Sequence, residues 1–124
     1  DGKLDEAERL LRQSIEVLGK TLGEDHVDLA LSLAELGRLE SRRGRPREAI
    51  PLFERAQALR EKAGGEPIEL ADTQYGLALA VWEVGQRPRA HALLGEARRL
   101  YEAAGGERVV RLQEIDAWLA AHPI

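Results

Sequence analysis

Asp25, His26 and Asp28 fall within four residues and offer two carboxylates and an imidazole, donor types that a divalent cation accepts. Nothing else in the sequence completes a coordination sphere around them, and His26 reads instead as a local hydrogen-bonding group at a helix start. His91 and His122 have no nucleophile at a recognisable spacing, and cysteine is absent. That absence removes thiolate zinc sites, disulfides and cysteine nucleophiles. The glycine-rich spots sit at turns between periodic segments, so none forms a phosphate-cradling loop. Carboxylates are plentiful but fall on helix surfaces in the expected register. The residues give no support to catalysis, a metal site or a cofactor.

The remaining chemistry is recognition. Arginines gather at Arg42, Arg43, Arg45 and Arg47 and again at Arg87 and Arg89, with acids at Glu24, Asp25, Asp28, Glu66 and Glu69. Acids at helix starts and bases at helix ends both favour the macrodipole, and this reading is preferred over an anionic partner held by Arg. A net charge of −4 argues against a general nucleic-acid role. No apolar run reaches membrane-spanning length and no signal peptide is visible, which points to a cytoplasmic setting. The chain starts at Asp1 and contains no Met, which reads as a fragment of a longer protein.

The elements that must position any such surface are helices. With two Trp, two Tyr and one Phe among 124 residues, the core has to come from Leu, Ala, Val and Ile. Leu4, Ala7, Leu10, Leu11, Ile15 and Leu18 keep a 3.6-residue period. Gly23 is a helix stop, and Asp25 is a candidate N-cap for a helix from about Val27 to Arg43. Past Gly44, Pro46 opens a helix to about Ala63, with Pro51 expected to bend it. Gly64-Gly65 ends that helix, Pro67 starts another, and a last helix is expected from about Arg108 to Ala121. Arg111, Glu114 and His122 are assigned to its wetter outer face.

The pattern repeats. Ala49, Phe53 and Ala56 recur 41 positions later as Ala90, Leu94 and Ala97, and 42 positions earlier as Ala7, Leu11 and Ser14. Gly105-Gly106-Glu107 repeats Gly64-Gly65-Glu66. Gly37 and Ala49 leave room that Phe53 fills, as small-against-large contacts between helices require. The chain therefore divides into the second helix of a truncated unit (1–24), a repeat (25–64), a second repeat (65–105) and a terminal capping helix (106–124).

Leu36-Gly37, Ala49 and Phe53 match the tetratricopeptide signature, with Leu33 in place of its Trp and Glu40 in place of its Tyr. The repeat length, together with Leu22-Gly23-Glu24-Asp25-His26 and Glu48-Ala49-Ile50-Pro51-Leu52-Phe53-Glu54-Arg55-Ala56, resembles the kinesin-light-chain type of this repeat. The likeness is densest over Leu22–Lys62 and sparser after Tyr75. It implies an all-α fold of about six antiparallel helices in a right-handed superhelix, with a concave groove that binds a peptide or partner protein. Positions where such proteins present paired Asn side chains hold Ala34-Glu35 and Tyr75-Gly76 here.

In this register the groove would show Leu31, Ala34, Glu35, Arg38 and Arg42 from one helix and Tyr75, Leu79, Trp82 and Glu83 from the next. Tyr75 and Trp82 beside Arg have the composition of an interface hot spot, or else pack between helices. The leading reading is a protein-interaction module. The alternative is a structural spacer, or a homodimer through the exposed amino-terminal helix. Richness in Arg, Ala, Gly and Leu suggests a bacterial source, and similar repeats there often follow signalling domains. The chain then reads as the carboxy-terminal recognition part of a larger bacterial signalling or regulatory protein.

Overall fold

Proline and glycine set the helix ends. Pro46 and Pro67 occupy first-turn positions, where a missing N–H costs no hydrogen bond. Gly64 closes its helix in the left-handed region at φ 65°, and Gly44 turns the chain at φ 73°. Between such stops the computed structural model describes residues 2–64, 66–105 and 109–124. Gly65, the Gly106-Glu107 pair and Arg108, to which the sequence assigned a helix stop and a helix start, lie outside those residues.

Six helices account for the described residues, with no strand among them: α1 (Gly2–Leu22), α2 (Asp28–Arg42), α3 (Pro46–Ala63), α4 (Pro67–Glu83), α5 (Arg87–Ala104) and α6 (Val109–Ala121). Each packs on its neighbours in sequence, and α2 also touches α4. That last contact makes a stack of helix hairpins rather than a closed bundle. The accessible surface is 7129 Å², above the roughly 6,600 Å² of a compact protein of this mass. Pro51 lies inside α3, which continues through it with the ring exposed.

Phe53 is the centre of the core. It is fully buried between α2 and α4, where two glycines admit its ring. A Cβ placed on Gly37 would stand 3.0 Å from the ring, and one on Gly76 would stand 2.7 Å from it. The sequence assigned this role to Gly37 but not to Gly76. Around the ring, Leu33, Ala49, Ala56, Leu77 and Ala78 form one continuous apolar cluster that extends to Leu94, Tyr101 and Ile115.

Two local expectations change. Asp25 does not cap α2; the helix starts at Asp28, with Val27 at the cap position and no side-chain capping bond. Asp25 is two residues before the cap position, and His26 Nδ1 instead accepts the Asp28 N–H at 3.1 Å. The second change concerns Glu40. It is not a surface carboxylate but 1% exposed, because α1 lies over it. Burial and a hydrogen bond to Glu8 raise its pKa, whereas the bond to Glu40 lowers that of Glu8. Glu40 is therefore the weaker acid of the two, with Arg45 3.5 Å from Glu40 and 3.7 Å from Glu8.

Candidate functional site

Because α2 and α4 are the first helices of successive hairpins, their exposed faces lie side by side and leave a trough between them. At one end Leu31 and Ala34 of α2 face Ile68 and Asp72 of α4 across about 500 Å³. Arg38, Tyr75 and Arg111 surround a middle section of about 320 Å³ whose floor is Gly76 and Phe53. At the far end Pro46, Leu79, Trp82 and Trp118 enclose about 500 Å³ more. Arg38 and Asp72 belong to the first two sections, and Ser41 and Leu79 to the last two. The trough is continuous.

Its walls are held by contacts from behind. Arg60, 9% exposed, pairs with Glu69. The buried Tyr101 of α5 donates its hydroxyl to Asp72. Burial, then the bond to that carboxylate, pushes the Tyr101 pKa above the usual phenol range. The Arg111 guanidinium lies 4.4 Å from the centre of the Tyr75 ring and pairs with Glu114 at 3.0 Å.

The far end is aromatic. Trp82 meets Trp118 edge-on at 4.9 Å, and His122 stacks on Trp118 at 4.0 Å. His122 donates from Nδ1 to the Trp118 carbonyl at 2.7 Å, and His91 donates from Nε2 to the His122 carbonyl at 2.6 Å. Arg87 lies over Trp82, 4.9 Å from its ring centre. These bonds hold both imidazoles as structural groups.

Leu31, Ala34, Arg38, Tyr75, Leu79, Trp82 and Glu83 line the trough. Of these, Ala34 is buried, and the rings of Tyr75 and Trp82 are half-buried, packing on the core while lining the cavity. Glu35 and Arg42 lie elsewhere. With Ala7 and Leu11 they line a depression between α1 and α2, which meets the trough only at Arg38 among the described residues. The helical turn carries residue 35 off the face that residues 34 and 38 share.

The register held two trough residues that were not drawn from it: Asp72 stands 41 positions after Leu31, and Ser41 stands 41 before Trp82. Arg111, Trp118 and His122 of α6 carried no such signal. Arg111 and His122 turn inward onto Tyr75 and Trp118 rather than forming a wet outer face, which Glu114 does supply. Three of the six turn arginines form ion pairs within the molecule: Arg43 with Asp5 at 2.6 Å, Arg45 with Glu8 and Glu40, and Arg89 with Glu54 at 2.7 Å. Among the described residues no group of three acidic or histidine side chains is placed to hold a metal ion. No helix there is long and apolar enough to cross a membrane.

The sequence model of the tetratricopeptide repeat matches residues 1–62, half of the chain. The chain belongs to the tetratricopeptide repeat family. Its fold is that of the kinesin-light-chain-like members. A crystal structure from Podosopora anserina, of a protein described as a kinesin light chain with nearly identical TPR-like repeats, superposes with a TM-score of 0.85 at 26% identity. The match covers 98% of this chain and 58% of that one. A variant of the same protein gives 0.84 at 26% identity, over 98% and 57%. This chain thus spans a little over half the length of those structures. No curated protein matches it. Tetratricopeptide repeats generally mediate protein–protein interaction, and their fold is a non-catalytic scaffold.

Proposed function

We propose that this chain is a recognition module whose trough holds an extended peptide or a segment of a partner protein. Its working units would be the hairpins over 25–64 and 65–105, flanked by the helix over 1–24 and the cap over 106–124. The observation that carries this reading is the continuity of the trough, with Arg38, Asp72, Ser41 and Leu79 each shared between adjoining sections. Nine residues join the sequence-level assignment: Leu31, Ala34, Glu35, Arg38, Arg42, Tyr75, Leu79, Trp82 and Glu83. Seven of them line the trough, and Glu35 and Arg42 line the depression beside it. The module would work within a larger bacterial signalling or regulatory polypeptide, in the cytoplasm, without catalysis of its own.

Selection of a displayed library of random dodecapeptides tests this. Enriched peptides should lose binding to Leu31→Gln, whose side chain is 55% exposed, and to Leu79→Gln, while still binding Val17→Gln on α1. Enriched peptides indifferent to both trough substitutions overturn the assignment.

A second reading rests on α1, which has no buried residue and exposes Leu10 and Val17, seven positions apart on one face, by 50% and 55%. That apolar face would meet a second copy of the chain, making the module a spacer or dimerisation element. Sedimentation equilibrium decides it: a strict monomer at high concentration removes this reading.

A further inference from the structure

The charges of the trough distinguish one class of partner segment from another. Glu69 is neutralised by Arg60, and Arg111 is paired with Glu114 while covering Tyr75. Four charged residues on the lining have no counter-charge among the described residues: Arg38, Glu66, Asp72 and Glu83. Three are acids and one is a base, so the open charge of the trough is negative. Asp72 is also fixed in place, since the buried Tyr101 hydroxyl donates to it and leaves its remaining lone pairs for a ligand.

The open acids divide between the ends of the trough, two at the first section and Glu83 beside the aromatic residues of the last. Glu66 and Asp72 stand at its first section, whereas Leu79, Trp82 and Trp118 enclose the last. From Asp72 to Trp82 is ten positions along α4, about 15 Å at the helical rise of about 1.5 Å per residue. An extended chain advances about 3.3 Å per residue, so four to five residues cover that span.

We propose that the bound segment is basic and apolar-anchored. It sets a Lys or Arg side chain against Asp72 and Glu66 and, four to five residues along, an aliphatic or aromatic side chain against Leu79, Trp82 and Trp118. Arg38 stands over the junction of the first two sections and repels a cation there, so the basic side chain has to reach past it to the Asp72 carboxylate. This inference rests on the trough being the binding surface. It adds the sign of charge and the spacing that the surface selects.

Fluorescence anisotropy with four labelled dodecapeptides on a common Ser/Ala background tests it: Lys and Leu separated by four residues, Glu and Leu at the same spacing, Lys alone, and Leu alone. The Lys–Leu peptide should bind at least about tenfold tighter than the Glu–Leu peptide at low salt, a gap that narrows as salt screens it. Asp72→Asn with Glu66→Gln should abolish that preference, and the amide oxygen at position 72 still accepts the Tyr101 hydroxyl. Arg38→Glu, at an exposed residue, should tighten the Lys–Leu peptide. Equal binding of the Lys and Glu peptides, both lost in Leu79→Gln, overturns the charge assignment and leaves the trough standing. Binding unchanged by Leu79→Gln in a folded variant overturns both. Absence of binding by all four peptides at millimolar concentration overturns the proposed segment, while the random library still judges the trough alone.

Discussion

Helices α1 and α3 carry the same pattern and end in different surroundings. Leu11 of α1 and Phe53 of α3 occupy the same register position, yet Phe53 is fully buried and Leu11 only half so. The difference is neighbours: α3 lies between α2 and α4, whereas among the described residues α1 meets only α2. Polar contacts take over where apolar cover is missing. Arg43 reaches Asp5, and the Glu8–Glu40 carboxyls sit beside Arg45. In a stack, local sequence assigns a residue to the packing face, and the presence of a helix on each side sets how much that residue contributes.

The comparison breaks most directly at its two matched positions. Phe53→Ala should cost about 3–5 kcal/mol, read as a fall in the urea midpoint with little change in slope. If Leu11→Ala costs as much, the neighbour argument fails. Gly76→Ala comes next, since its Cβ would meet the Phe53 ring at 2.7 Å; about 1–3 kcal/mol is expected from overpacking. Combining it with Phe53→Leu should give less than the sum of the two separate losses, because the smaller side chain relieves the clash. Leu11→Ala itself should cost about 1 kcal/mol, the share of a half-buried side chain.

Smaller effects come from titration. Tyr101 has its pKa raised by burial and then by Asp72, so the unfolded chain releases the phenolic proton first as pH rises. Stability is therefore intact below pH 10.0, the ordinary phenol value, and falls above it; in Tyr101→Phe that slope should vanish from alkaline melts. Asp5 behaves in the opposite sense. Its hydrogen bond to Arg43 lowers its pKa, so its contribution is present above 3.8 and is lost as pH falls through the depressed value. An acid-induced rise in α1 amide exchange that is absent in Asp5→Asn is the expected signature.

Helix content, the hairpin repeat and the small-against-large contact at Phe53 were all legible in the sequence. They depend on spacing, and spacing survives in one dimension. Register likewise groups the candidate groove residues on one face of each of two helices, and seven of the nine line the trough. Other features needed the assembled stack. Gly76 shows its purpose only when α4 comes up against Phe53, and Glu40 becomes buried only because α1 covers it. Arg111, Trp118 and His122 join the trough because α6 docks across its end, through contacts between residues that no periodicity relates. Periodicity could assign each helix a face; which side chains meet across that face, and which charges they leave unbalanced, depended on how the helices lie against one another.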